Sequence, residues 1–202
     1  MVIAKTRPNS ILNLEPTMKL WTVAEYHRIS ELGILDADGR TELIDGQILL
    51  MTAKGTPHTT ALRLLASLFD DLFNNDRSIY IITQDPIQLN DLSEPEPDLV
   101  IVKGTVLDYT EHHPYPKDIH LVVEIADSTL KQDCQVKDKL YAKAGIAEYW
   151  VVDIKNRQIN IFRNPTPTGY AHHLILNEPN DFSPLAFPQI SIELTSILPP
   201  VA

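Results

Sequence analysis

The chain has 202 residues, with 17 Lys and Arg against 27 Asp and Glu, a formal net charge of −10. Its 44% hydrophobic and 22% charged residues match an ordinary globular domain with apolar mass for a full core, which excludes wholesale disorder. No apolar run approaches the roughly 20 residues that a membrane-spanning helix needs, and the single Cys134 excludes an internal disulfide and thiolate zinc chemistry.

Residues 1–20 carry two prolines and little periodicity, so a flexible arm is expected there, ahead of one domain over 21–202. The first eight residues place their apolar side chains before their positive charges. That is the wrong order for a secretory signal, and a cytoplasmic location is the expectation.

Thr22-Val-Ala-Glu25 is a capping-box pattern and Gly33 suits a helix stop, which predicts a short helix over 23–31. Asp45-Gly46 between two apolar runs predicts a hairpin with strands near 41–44 and 47–52. Thr56 as N-cap and Pro57 at the first helical position open a helix that runs through the segment 58–73. Its Ala61, Leu62, Leu65, Leu68, Phe69, Leu72 and Phe73 recur at helical spacing.

The β-rich runs Ile79 to Thr83, Ile87 to Leu89, Leu99 to Lys103 and Ile119 to Ile125 predict a central sheet packed on that helix. A second helix is expected over about 129–144, with Val136, Leu140 and Ala144 inward and Gly145 as the stop. Tyr149 to Ile154 and Gln158 to Arg163 pair around Lys155-Asn156-Arg157, 170–176 forms a further strand, and the Pro-rich 177–202 wraps the sheet edge. The predicted class is α+β, a mixed β-sheet flanked by helices.

Charge is partitioned along this scaffold. Residues 64–128 hold 13 acidic and 3 basic residues, whereas 131–163 hold 4 acidic and 7 basic ones. Within the acidic block, Asp98 precedes the apolar run Leu99 to Val102, and Glu124 is enclosed by Val122, Val123 and Ile125. Carboxylates inside apolar strands need a cation, a basic partner or a proton, and oxygen ligands of this kind suit Mg²⁺ or Mn²⁺. Downstream, Asp133, Lys137 and Tyr141 follow at i, i+4 and i+8 and share one helix face, with Lys139 off it. A lysine beside such a centre can offset phosphate charge and stabilise a nucleophile, which points to phosphodiester hydrolysis.

A family resemblance rests on ordered blocks. They are Thr41-Glu-Leu-Ile-Asp-Gly-Gln-Ile48, Pro57-His58, Gln84-Asp-Pro-Ile87, Glu96-Pro-Asp-Leu-Val100, Val123-Glu-Ile125 with Ser128, Asp133-Cys-Gln-Val-Lys137, Leu140 to Ile146, and Glu148-Tyr-Trp-Val-Val-Asp153. Through these the chain, from about residue 20 to 195, resembles the Uma family of restriction endonucleases, whose fold is similar to the PD-(D/E)XK nucleases. The resemblance implies a restriction-endonuclease-like fold and a metal-dependent endonuclease acting on DNA. Glu42, Asp98 and Glu124 would hold Mg²⁺ or Mn²⁺, and Lys137 would be the active-site lysine.

The chain departs from the superfamily signature at Ala126, two residues after Glu124, where that signature has Lys. The lysine is therefore expected from the following helix. Asp133 and Tyr141 are expected to orient Lys137, while His58 either contacts its preceding loop or reaches the site. Cys134, Tyr149 and Trp150 read as packing residues and Ser128 as an N-cap. His112 and His113, being adjacent, are expected to point apart. Cleavage of both strands requires two sites, so an active enzyme is expected to be a homodimer. The alternative is a catalytically inactive nuclease-like module for binding or oligomerisation, favoured by the acidity and by Ala126.

Overall fold

The computed structural model describes residues 18–35 and 39–201; apart from residues 18–20, the expected N-terminal arm lies outside the described residues. Helix α1 (Val23–Glu31) begins with the capping box read from the sequence, Thr22 Oγ1 accepting the Glu25 N–H at 3.2 Å and Glu25 accepting the Thr22 N–H at 3.0 Å. Strands β1 (Thr41–Ile44) and β2 (Gln47–Leu50) form the hairpin. Asp45 (φ 46°) and Gly46 (φ 74°) both turn left-handed, as a two-residue type I′ loop demands. A Cβ on Gly46 would lie 2.7 Å from Leu20 Cβ, so glycine also admits the chain that crosses the turn.

Helix α2 (Thr56–Phe73) starts one residue earlier than predicted. Gly55 is the extended N-cap, and Thr56, expected to cap, is already helical. Six strands form one sheet: β3 (Ile79–Thr83), β4 (Leu99–Lys103), β5 (Ile119–Ala126), β6 (Glu148–Asp153), β7 (Gln158–Thr166) and β8 (Gly169–Asn177), side by side in that order. All pairs are antiparallel except the parallel β5–β6 pair. A parallel pair needs a crossover, and helix α3, which occupies 130–143, supplies it. It consists of Leu130–Gln132, a π-helical stretch Asp133–Lys137 and Asp138–Lys143. The short strands β9 (Asp181–Phe182) and β10 (Ile192–Glu193) pair separately.

The period-2 alternation of strands divides the interior into two layers. Leu99, Ile101, Leu121, Val123 and Ile125 face α2, whose Ala61, Leu62, Leu65 and Phe69 are buried. Val100, Val102, Val122 and Ala126 face α3, with Leu140 and Tyr141. Tyr149 and Trp150 are core residues, as read from the sequence.

Three expectations need correction. Ile87 to Leu89 forms no regular strand, because Ile87 is buried by packing while its N–H bonds to Pro95 O across a loop. Val136 is half exposed, because α3 turns its Asp133, Lys137 and Tyr141 face inward, one position removed from the purely apolar face. The C-terminal segment does more than wrap an edge: Phe182, Phe187, Ile192, Leu194 and Ile197 complete the core beside α2.

Candidate active site

Four separate segments converge on one pocket, of about 90 Å³, whose lining includes Glu42, Asp98, Glu124, Asp133 and Lys137. All four residues singled out from the sequence are buried, between 4% and 5% exposed, although each is charged. Glu42 enters from β1, held in place because Leu43 exchanges backbone hydrogen bonds with Glu94. Asp98 stands where β4 begins. The β4–β5 ladder starts at the Leu99–Val123 pair, and beyond it Asp98 Oδ2 accepts the Ile125 N–H at 2.9 Å. Glu124 shares a strand face with Val122 and Ala126, and therefore looks toward α3.

Lys137 closes the arrangement from α3. Its Nζ lies 2.9 Å from Glu124 Oε1 and 3.1 Å from Glu42 Oε2. A lysine ammonium thus reaches Glu124 although position 126 is Ala and buried. Tyr141, on the same helix face, donates its hydroxyl proton to Glu124 Oε1 at 3.0 Å; it orients Glu124 rather than Lys137. Asp133 accepts the Thr129 hydroxyl at 2.6 Å and lines the pocket.

Two residues were not singled out as site residues from the sequence. Lys54 Nζ lies 2.9 Å from Asp98 Oδ1, and His58 Nε2 lies 2.9 Å from Asp98 Oδ2. Lys54 belongs to the loop ahead of α2, where no pattern marks it. His58 was visible as a first-turn histidine, and it does reach the site. Gln84 Nε2 approaches Asp98 Oδ1 at 3.5 Å from a residue with φ 58°.

These contacts set the protonation of the cluster. Burial would raise the Asp98 carboxyl, but the His58 hydrogen bond, the charges of His58 and Lys54 and the Ile125 N–H hold it down to about 2. Burial pushes Glu124 up, Lys137 opposing and Asp98, Asp133 and Glu42 adding to the rise. Burial likewise lifts Asp133 to about 6. Lys137 is disfavoured as a cation by burial, yet the carboxylates of Glu124, Glu42 and Asp133 outweigh that and strengthen its hold on its proton.

The donor chemistry suits a hard divalent cation. Six carboxylates, Glu42, Glu96, Asp98, Glu124, Asp127 and Asp133, line the pocket with two ammonium groups, Lys54 and Lys137, so carboxylate oxygens outnumber the cationic side chains there. Both hydrogen bonds to the Glu124 side chain fall on Oε1, so Oε2 has lone pairs to offer. Glu42, Asp98 and Glu124 do not bring one oxygen each within 4.8 Å of the other two. Lys137 stands between Glu42 and Glu124, and Lys54 occupies Asp98 Oδ1.

Comparison with known proteins agrees with this architecture. A putative nuclease belonging to DUF820 from Anabaena variabilis has a similar crystal structure, with a TM-score of 0.69 over 87% of this chain and 96% of that one. The two are 15% identical, so the likeness is one of fold. No curated protein matches the chain. The profile of the family described as "Uma2: Putative restriction endonuclease" matches residues 23–195, nearly the whole described domain, and the chain belongs to that family.

Proposed function

We propose that the protein is a metal-dependent endonuclease that hydrolyses DNA phosphodiester bonds at the pocket formed by Glu42, Asp98, Glu124 and Lys137. The observation that carries this reading is the convergence of three buried carboxylates and one buried lysine from four segments onto a single cavity where carboxylates outnumber ammonium groups. Glu42, Asp98 and Glu124 would hold Mg²⁺ or Mn²⁺, which when bound supplies Lewis acidity toward a phosphoryl oxygen and toward water.

The chain's own groups do the rest. Asp98 stays ionised, its Oδ2 fixed by His58 and the Ile125 N–H, and its Oδ1, held by Lys54, is the oxygen that would serve a cation once Lys54 gives way. Tyr141 fixes Glu124. Lys137 retains its proton, so its role is that of a charged hydrogen-bond donor to phosphate oxygens, not of a general base. For it to reach a phosphate, its contacts to Glu42 and Glu124 must loosen. Duplex cleavage would use two copies of the chain as a homodimer.

The same ion pairs favour a second reading, an inactive nuclease-like module, because protein cations already neutralise part of the acidic cluster. The deciding experiment is cleavage of plasmid and single-stranded DNA by purified protein in Mg²⁺ and in Mn²⁺, with EDTA, Asp98→Ala and Lys137→Ala beside it. The nuclease reading expects metal-dependent cleavage that both folded variants abolish. Failure of the folded wild type to cut either DNA in either metal contradicts it and leaves the inactive module.

A further inference from the structure

We propose a second metal site, for Zn²⁺, formed by His27, Glu94 and His113, outside the acidic pocket and of different chemistry. These three residues come from α1, the loop before β4 and the loop between β4 and β5. One nitrogen of each imidazole and one carboxylate oxygen all lie within 4.8 Å of one another. His27 Nε2 is 2.6 Å from Glu94 Oε1, and the rings of His27 and His113 meet edge to face with centroids 6.4 Å apart. His112 turns away and stacks on Tyr115 at 4.9 Å, so the two adjacent histidines do point apart and only one of them serves the cluster.

Glu94 supplies the independent sign of a ligand. It is only 3% exposed, and among the described residues its Oε2 has no hydrogen-bond partner. Its backbone is pinned by the bonds to Leu43, with Glu94 N donating to Leu43 O at 2.8 Å. A buried carboxylate with one oxygen unsatisfied is costly unless a cation completes it. Two imidazoles and a carboxylate are a borderline-soft donor set, suited to Zn²⁺ and ill suited to Mg²⁺, which prefers oxygen.

The geometry needs only a small adjustment. Ligands about 2.0–2.1 Å from a tetrahedral Zn²⁺ lie about 3.3 Å apart, between the 2.6 Å of the present His27–Glu94 contact and the 4.8 Å limit of the cluster. His27, whose side chain is 48% exposed, is free to make that shift. Zn²⁺ at His27 Nε2 takes the place of the hydrogen-bonding proton, the neutral imidazole then carrying its proton on Nδ1, and acid, which protonates imidazole, competes with the metal. His27 and His113 also line a cleft, which leaves the fourth position open to water or a small ligand. Binding would clasp α1 to the two loops and, through the Leu43–Glu94 bonds, to the strand that carries Glu42.

The test is Zn²⁺ titration of the EDTA-stripped full chain in excess Mg²⁺, read by calorimetry and by the thermal midpoint, with Co²⁺ as a spectroscopic probe. One Zn²⁺ per chain is expected, with a Kd of about 1 μM or tighter. His27→Ala and His113→Ala should each weaken binding by at least about tenfold, and His172→Ala, far along β8, should leave it unchanged. His113 is partly exposed, so its removal leaves the metal-free fold intact even if a Glu94 variant does not fold. Absence of Zn²⁺ binding at about 100 μM, or binding indifferent to both His27→Ala and His113→Ala, overturns the proposal. Neither result depends on nuclease activity.

Discussion

Two of the carboxylates buried in the sheet are built to opposite ends. On β6, Glu148 is completely buried and fully used: Oε1 accepts Trp150 Nε1 at 3.0 Å and Arg163 Nε at 2.7 Å, and Oε2 accepts the Leu185 N–H at 2.5 Å. On the neighbouring β5, Glu124 is buried too, but both of its side-chain bonds fall on one oxygen, and it borders a cavity where carboxylates outnumber ammonium groups. Burial of a charge is therefore no mark of function by itself. What separates the two is whether both carboxylate oxygens have a partner.

That contrast fixes the order of the effects. Glu148→Ala strands the Arg163 guanidinium, the Trp150 indole N–H and the Leu185 amide together, and should destabilise the fold by about 3–5 kcal/mol in chemical denaturation. A loss below about 1 kcal/mol would show that the knot is not structural.

Asp98 should come next. Its folded carboxyl sits at about 2 against an ordinary 3.8. Its ionised form thus stabilises the fold above pH 4 or so, and that contribution is lost as pH falls through about 2. Asp98→Asn should cost about 2 kcal/mol at pH 7, with the gap to wild type closing as the solution approaches pH 2. Denaturation curves at a series of pH values check both the size and the direction.

The smallest effect has the opposite sign. Burial raises Asp133 from 3.8 to about 6, so the folded chain holds that proton more tightly than the unfolded one, and stability declines as pH rises from about 4 to 6. In EDTA, Asp133→Asn should stabilise the chain at pH 7.5 by on the order of 1–2 kcal/mol and leave it unchanged near pH 4. A destabilised Asp133→Asn at pH 7.5 would mean that the cluster is electrostatically balanced and that the comparison with Glu148 fails.

Much of the scaffold was legible because its signals are local. The capping box at Thr22 and Glu25, the Asp45-Gly46 turn and the apolar face of α2 each lie within a few turns of the chain. Asp98 and Glu124 stood out because a carboxylate beside an apolar run needs a reason. Val136 misled because two faces of α3 were plausible and the polar one is turned inward. Lys54 and His58 were not marked as partners of Asp98, 44 and 40 residues away, since nothing in a linear pattern encodes that meeting. The same holds for His27 and Glu94, 67 residues apart.

The most direct test of the central claim is calorimetric titration of Mn²⁺ into the EDTA-stripped chain, comparing wild type with Asp98→Asn and Glu124→Gln, in the His113→Ala background that removes the second site. The account predicts one bound Mn²⁺ and an affinity at least about tenfold weaker in each carboxylate variant. Wild-type affinity retained in both folded variants, or no Mn²⁺ bound by the parent protein, would contradict it.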